Sequence, residues 1–210
     1  MSAIACVFFD YDGVLTTDRT GSLTTCRYLS RAAGIPLDRV RAAFAVHNEA
    51  LTLGHITHDQ VWPDICAALG RAIPIGTLEE AFDSTPANGA MFELARALQC
   101  RVGILTDNKA DRMRRLRATQ GLDRTFDPIV VSAEAGMSKS SPGFFEHALR
   151  LAAAAAHETV FIDNDRGNVD TAAGLGIHAV HFDDAVNDIQ GLVRRLQEDF
   201  GLGPARLLRR

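Results

Sequence analysis

The sequence lacks the features expected of a membrane protein, a nucleic-acid-binding protein or a secreted protein. Its longest unbroken apolar runs, Ala3–Phe9 and Leu151–Ala156, fall far short of the ~20 residues that span a bilayer. The net charge is −4 at pH 7, and acidic and basic residues are mixed along the chain, so we expect no concentrated basic face. No basic stretch precedes the first apolar run, which is not typical of a signal peptide.

Cysteine and lysine are both scarce. The four cysteines show no metal-ligand spacing and lie in apolar contexts typical of buried free thiols, so we expect a reducing, cytoplasmic location. They are Cys6, Cys26, Cys66 and Cys100. Lysine occurs only at Lys109 and Lys139, and arginine supplies the other twenty basic residues. The isolation of Lys139 suggests a point charge placed for a purpose.

What the sequence has is an alternation of apolar strand patterns and helical patterns. Its 210 residues, 47% of them hydrophobic, suit one α/β domain or a core with an insertion. The predicted strands are Ala3–Phe9, Arg101–Leu105, Pro128–Val131, Thr159–Ile162 and His178–Phe182. The helices predicted between and after them are Gly89–Gln99, Ala110–Thr119, Pro142–Ala155, Asn168–Gly174 and Ala185–Phe200. Such alternation predicts a parallel sheet with right-handed crossovers and helices on both faces.

Residues from 18 to 85 contain no strand pattern. We predict a small all-helical cap there, inserted into a discontinuous core of residues 1–17 and 86–210. Its predicted helices are Leu23–Ala33, Leu37–Leu53, His58–Leu69 and Leu78–Phe82. Thr57 and Gln60 have the spacing of a capping box at the start of the third of these helices. The basic tail, residues 204–210, is expected to fray.

Polar residues stand where three predicted strands end, at Asp10, Thr106 and Asp163. Because ligands of open parallel sheets bind at the carboxyl ends of the strands, these segments should converge on one site. In the first segment, Asp10 and Asp12 share one side of an extended chain, and Gly13 permits a sharp turn. Two close carboxylates favour a bridging hard cation such as Mg²⁺.

Three later segments supply further candidates. Thr106 and the backbone N–H groups before the next helix could hold a phosphoryl oxygen. Lys139 follows in a serine-rich loop. The last segment contains a run of polar side chains, namely Asp163, Asn164, Asp165 and then Asn168.

Taken together, these segments resemble the haloacid dehalogenase-like hydrolases. FFDYDGVLT resembles their first motif, and Thr106 at a strand end resembles the second. Lys139 resembles the third, in a G-x-x-K-x-x-P-x-x-F frame. FIDND with Asn168 resembles the fourth. All four motifs occur in order, and the similarity covers nearly the whole chain. The fold that the resemblance implies is a Rossmann-like core with a helical cap.

The resemblance implies a magnesium-dependent phosphohydrolase. Asp10 would attack phosphorus to form an aspartyl-phosphate, and Asp12 would serve as general acid and base. Thr106 and Lys139 would bind phosphoryl oxygens as part of the catalytic set. The implied metal site comprises Asp10, Asp12 (through its carbonyl), Asp163 and Asn164. The substrate-binding candidates are Thr106, Asp107, Asn108, Lys139, Thr16 and, from the cap, His47.

The second aspartate favours one branch of the family. Phosphate-processing members carry a residue such as Asp12, which the dehalogenases generally lack. The resemblance therefore implies a small phosphorylated metabolite as substrate, and the pattern at Gly54–Thr57 resembles sugar-phosphate phosphatases. A phosphomutase using the same residues and a non-catalytic binding protein on a decayed scaffold are the alternatives. The sequence is silent on oligomeric state.

Three positions depart from the family pattern. The third motif reads Lys139-Ser140 instead of Lys-Pro, and Asp107 replaces the usual asparagine after Thr106. The fourth motif has Asn164 where a second aspartate is common. Since an amide oxygen is a neutral ligand, we expect weaker magnesium binding than in a paired-aspartate relative.

Structural readings compete with each functional one. Asp10 and Asp12 could be turn carboxylates, Thr106 and Asp163 helix caps, and Lys139 a solvated loop residue; for Asp165 a surface role and a metal role are both open. We expect His55 and His58 to face solvent. The arginine run on the helix after Thr106 is also expected to be solvated; it consists of Arg112, Arg114, Arg115 and Arg117.

Overall fold

A computed structural model describes residues 3–203, so the tail predicted to fray lies outside the described residues. Five parallel strands form one sheet in the order β3-β2-β1-β4-β5. The strands are β1 (Cys6–Phe9), β2 (Arg101–Thr106), β3 (Ile129–Val131), β4 (Thr159–Asp163) and β5 (His178–His181). All five were predicted from the apolar runs, and the predicted α/β class is confirmed.

Eleven α-helices are present in the described part of the chain. The six between β1 and β2 are α1 (Ser22–Ala33), α2 (Leu37–Ala45), α3 (Asn48–Thr52), α4 (His58–Leu69), α5 (Gly76–Asp83) and α6 (Gly89–Ala97). The later five are α7 (Ala110–Gln120), α8 (Ser132–Ala135), α9 (Pro142–Ala152), α10 (Arg166–Gly174) and α11 (Ile189–Phe200). None of these helices is long and apolar enough to cross a membrane.

Helices cover both faces of the sheet, and successive strand residues point to opposite faces, so consecutive side chains are buried. Val7 and Phe9 of β1 pack with α6, α7 and α11 in one apolar cluster. Cys6 and Phe8 pack on the other face with α9 and α10. This explains why β1 reads as a continuous apolar run instead of an alternating one.

A third apolar cluster lies within the predicted cap and includes Leu29, Trp62, Ile65 and Phe82. A cluster of its own supports the division at residues 18 and 85, which remains a prediction. The predicted capping box is present: Gln60 N donates to Thr57 Oγ1 at 3.4 Å, and Thr57 N donates to Gln60 Oε1 at 2.8 Å.

The single helix predicted over Leu37–Leu53 is wrong, because the chain breaks at Val46 and His47 into α2 and α3. Tertiary contacts account for the break. The short α3 reaches the loop after β3, where Ser132 Oγ donates to the Thr52 carbonyl at 2.7 Å. Gly54, at φ +71°, lies so close to Ala133 that any Cβ would strike its carbonyl oxygen.

The sheet contains one position where a side chain has no room. A Cβ on Gly103 in β2 would lie 2.7 Å from both the Phe8 ring and the Pro128 carbonyl oxygen. We therefore expect Gly103→Ala to lower the free energy of unfolding by about 1–3 kcal/mol, as overpacking does. Urea denaturation followed by circular dichroism measures the change.

Gly174 provides the matched control. It is an exposed residue at the end of α10, and a Cβ there would meet nothing within 4 Å. Gly174→Ala should leave the free energy of unfolding unchanged or raise it by up to about 1 kcal/mol. Equal effects of the two substitutions would contradict the proposed steric cause.

Candidate active site

The strand register brings the predicted polar residues to one edge of the sheet. Phe9 pairs with Ile104 on one side and with Ile162 on the other. Asp10, Thr106 and Asp163 follow within two residues of that level. From β1 the chain adds β2 and β3 on one side of the sheet, and then β4 and β5 on the other side. In open α/β sheets, ligand-binding crevices form where the strand order switches in this way, here between β1 and β4.

A cavity of about 190 Å³ opens at this edge. Eight of the residues singled out from the sequence line it, and five of them are Asp10, Asp12, Thr106, Asp107 and Lys139. The other three, Asn164, Asp165 and Asn168, come from the segment after β4. Exposed Arg19 and Thr20, which the sequence reasoning did not identify, complete the lining.

Lys139 is the centre of the charge arrangement. Its side chain is almost fully buried, and its Nζ lies 2.8 Å from Asp10 Oδ1 and 2.7 Å from Asp163 Oδ2. Its backbone N–H donates to Asp107 Oδ1 at 2.9 Å. A buried ammonium next to several carboxylates is retained as a charge: burial lowers the pKa of Lys139, but Asp10, Asp163 and Asp107 outweigh that effect and raise it.

The Asp10 carboxyl lies in a strongly perturbed environment. Burial is the main influence and raises its pKa, the Asp163 and Asp12 carboxylates raise it further, and Lys139 opposes them. Asp10 Oδ1 accepts hydrogen bonds from Tyr11 N at 2.7 Å and from Lys139. Among the described residues no hydrogen bond reaches Oδ2, which therefore remains available to a ligand.

Asp163 is held by its own segment as well as by Lys139. Its Oδ1 accepts from Asp165 N at 2.6 Å, and its Oδ2 accepts from Asn168 Nδ2 at 3.2 Å. Asp165 in turn caps α10, because its Oδ1 accepts from Gly167 N at 2.8 Å. The structure thus gives Asp165 a capping role, although it also lines the cavity.

Asn164 lies directly over the turn that follows β1. A Cβ on Gly13, where φ is +85°, would lie 2.2 Å from Asn164 Nδ2, so only glycine fits there. Asn164 Nδ2 donates to Asp184 Oδ1 at 3.3 Å. Its amide oxygen accepts no hydrogen bond within residues 3–203 and is free to coordinate.

Asp12 has a partner that the sequence reasoning assigned to a solvated face. Arg112 Nη1 donates to Asp12 Oδ2 at 2.7 Å, and Nη2 donates to Oδ1 at 2.9 Å. Asn108 Nδ2 also donates to Asp12 Oδ2, at 2.9 Å. Arg112 is 3% exposed, so the expectation that its arginine run is solvated is wrong for this residue.

The remaining arginines of α7 lie nearer the surface. Arg114 is exposed, Arg115 pairs with Asp83 of α5, and Arg117 pairs with Asp123. An amphipathic helix buries only one stripe of its surface, so four arginines spread around it need not all face solvent. The apolar residues Met113 and Leu116, one and four positions after Arg112, were the available sequence signal.

The second incorrect expectation concerns His58, which does not face solvent. It is 3% exposed, and its Nδ1 lies 2.7 Å from Asp111 Oδ2. Burial is the largest single influence and raises the pKa of Asp111, but the hydrogen bond and charge of His58, together with backbone hydrogen bonds, outweigh it, so the net shift is downward. His55 is exposed, as expected.

Two predicted substrate-binding residues lie apart from the others. Thr16 Oγ1 accepts from Gly13 N at 3.1 Å and donates to the Asp18 carbonyl at 3.0 Å, so this buried hydroxyl closes the turn after Asp10. His47 is half-buried at the α2–α3 break. In the described part of the chain, neither residue lines the cavity.

A magnesium ion needs hard oxygen ligands. No group of three or more His, Cys, Asp or Glu side chains within residues 3–203 forms a ready-made metal site. The oxygens that the edge does offer are hard ligands: the free Asp10 Oδ2, the Asp163 carboxylate and the Asn164 amide oxygen. Since these carboxylates outnumber the single Lys139 between them, the site fits a divalent cation.

A larger cavity of about 480 Å³ lies beside the first, with Thr20 at the boundary of both. Residues of the helical insertion and the start of α7 line it, including Leu23, Phe44, Phe82, Lys109 and Arg112. Burial lowers the pKa of Lys109, and the nearby Arg112 charge lowers it further. The larger cavity therefore combines apolar walls with positive charge.

Two curated relatives match most of the chain. Bifunctional epoxide hydrolase 2 of Rattus norvegicus is 26% identical over 225 residues, which cover 95% of this chain and 39% of the rat protein. The chain thus spans about two fifths of that relative's length. Sesquiterpene phosphatase astK of Aspergillus oryzae is 29% identical over 153 residues, covering 64% of this chain and 78% of the fungal protein.

Solved structures share the fold. A HAD family enzyme from Bacteroides thetaiotaomicron, in a magnesium complex, superposes with a TM-score of 0.75 at 20% identity, covering 92% of this chain and 100% of that one. The model of the haloacid dehalogenase-like hydrolase family matches residues 4–177. With the four motifs at one edge of the sheet, this match shows that the chain belongs to the haloacid dehalogenase-like hydrolases.

Proposed function

We propose that this chain is a magnesium-dependent phosphohydrolase that cleaves a small phosphomonoester through an aspartyl-phosphate on Asp10. The observation that carries the proposal is the position of Lys139, whose Nζ lies within 2.8 Å of both Asp10 and Asp163. Lys139 is a single fixed cation among several buried carboxylates. The pocket therefore needs further positive charge before it can bind a dianionic phosphate group. Bound magnesium would supply that charge and polarise a phosphoryl oxygen.

Asp10 is arranged to attack. Tyr11 N and Lys139 fix its Oδ1, which leaves Oδ2 to form the bond to phosphorus while the bond to the ester oxygen breaks. In the second step water attacks the same phosphorus, the Oδ2–phosphorus bond breaks and phosphate leaves. Lys139 and the Thr106 hydroxyl would hold phosphoryl oxygens during both displacements.

Asp12 would move the protons. Its Oδ2 accepts two hydrogen bonds but Oδ1 accepts only one, so a lone pair of Oδ1 is free to take a proton from the attacking water. To protonate the leaving alkoxide, Asp12 must first carry a proton itself. Arg112 occupies both oxygens of Asp12, so the acid role requires one of these hydrogen bonds to break.

Two comparisons support this reading over dehalogenation. The fungal relative is named a sesquiterpene phosphatase, and the Bacteroides neighbour was solved with magnesium. The presence of Asp12 also favours phosphate chemistry, because the resemblance assigns this second carboxylate to the phosphate-processing branch. The rat relative is bifunctional and much longer, so its name identifies no single activity for this chain.

The first prediction concerns the nucleophile. Asp10→Asn should reduce magnesium-dependent release of phosphate from p-nitrophenyl phosphate by at least about a thousandfold, because an amide oxygen is a poor nucleophile. Direct measurement of free phosphate also separates hydrolysis from isomer formation by a mutase.

Asp123→Asn is the matched control, since Asp123 pairs with Arg117 in α7 at the surface, away from the cavity. It should retain the wild-type rate. Equal rates for wild type and Asp10→Asn would remove Asp10 from the mechanism.

The second prediction concerns Asn164, whose amide oxygen would be a neutral ligand of the magnesium ion. Asn164→Asp should lower the magnesium concentration that gives half-maximal activity by about tenfold, because a carboxylate binds Mg²⁺ more strongly than an amide oxygen. A magnesium titration of phosphate release provides the measurement.

Gln99→Glu adds the same charge at an exposed residue before β2 and should leave that concentration unchanged. Micromolar saturation of the wild type, or no shift in Asn164→Asp, would show that Asn164 does not weaken the site.

A further inference from the structure

The 480 Å³ cavity has an unusual balance of charge for a protein of net charge −4. Three cationic side chains line it, those of Arg41, Lys109 and Arg112. Among the described residues in its lining, none is an aspartate or a glutamate. Two carboxylates close to Lys109 already have partners, Asp12 in Arg112 and Asp111 in His58.

Two of these cations have unused capacity. Lys109 is half-buried, and within residues 3–203 its ammonium forms no hydrogen bond or ion pair. Arg112 is nine-tenths buried or more, and its Nε is the one buried side-chain nitrogen or oxygen of the described chain without a partner. Because a charge removed from water is costly unless an opposite charge meets it, Lys109 favours an anion in the cavity. The charge of Arg112 is already paired with Asp12, but its Nε–H can still donate a hydrogen bond.

The walls between the cations are apolar. Leu23, Phe44, Leu51 and Phe82 face the same space, together with the Cys26 thiol. Such a lining excludes water and binds a hydrocarbon or aromatic body. The ligand that fits is therefore a hydrocarbon or aromatic group that carries an anionic substituent.

The cavity also lies where the part of a substrate beyond the phosphorus would extend. It meets the smaller cavity at Thr20, and Asn108 in its wall donates to Asp12. Asp107 and Asn108 are consecutive, one in each cavity. A phosphomonoester bound at Lys139 would thus direct its leaving group past Asn108 towards Lys109.

We propose that the larger cavity selects phosphomonoesters whose leaving group is an apolar body carrying a second anionic group, which pairs with Lys109. This inference rests on the proposed function and narrows its substrate class. It also favours acidic aromatic or aliphatic phosphates over the neutral sugar phosphates that the Gly54–Thr57 pattern suggested.

The test compares phosphates that differ in one charge. 4-Carboxyphenyl phosphate and the longer 3-(4-phosphonooxyphenyl)propionate are each matched with the corresponding neutral amide. Binding to the Asp10→Asn protein is measured by calorimetry with magnesium present, so the readout does not depend on turnover. We expect at least one acid to bind about tenfold more tightly than its amide, as a charge-assisted hydrogen bond would give.

Substitutions then test whether Lys109 causes the preference for acids over amides. In the same background, Lys109→Met should bring the acid-to-amide ratio close to one, and Lys109→Gln repeats the test should the apolar variant fail to fold. Arg114→Met removes an equal charge from the exposed face of α7 and should leave the ratio unchanged.

Equal binding of acids and amides, or binding of neither, overturns the proposal, and so does a ratio that Lys109→Met and Arg114→Met affect alike. A different result would contradict the proposed function. A wild type that releases no phosphate from p-nitrophenyl phosphate, while the acids still bind more tightly than the amides, would remove the hydrolase and retain the anion site.

Discussion

Buried negative charge at the carboxyl edge of the sheet is the constraint on which the rest of the site depends. Asp10 and Asp163 end neighbouring strands, and the parallel register forces them together. Lys139 lies between them and compensates part of their repulsion. The remaining excess explains why the pocket suits a divalent cation and why the proposed dianionic substrate would need one. The roles proposed for Asp10, Lys139 and magnesium follow from this imbalance.

A second charge arrangement holds Asp12 in place. Arg112 holds both of its oxygens, and Arg112 Nη2 also lies 3.3 Å from Thr85 Oγ1 in the segment that ends the helical insertion. Gly21, at the start of that insertion, approaches so closely that a Cβ would strike both Asp12 and Arg112. Asp12 and its partner Arg112 together thereby contact both ends of the insertion. The orientation of this pair depends on the position of the inserted helices.

The sequence predicted the strands and the edge residues well because both signals are local. An apolar run ending in a polar residue, such as the one before Asp10, needs no knowledge of distant segments. The incorrect predictions for Arg112 and His58 have the opposite origin: each is buried by partners 100 and 53 positions away. The α2–α3 break likewise depends on Ser132, 80 positions later. Roles for the edge residues came from family resemblance, and geometry supports them without testing them.

The bond from Ser132 to Thr52 is one of several that attach the helices between β1 and β2 to the rest of the chain, together with the pairs His58–Asp111 and Arg115–Asp83. Bonds at several points restrict rotation of these helices more than the two connecting chain segments alone would. Ser132 Oγ also accepts from Asn108 N at 2.9 Å. Breaking the Ser132–Thr52 hydrogen bond would therefore also disturb the segment that follows β2, in which Asn108 donates to Asp12.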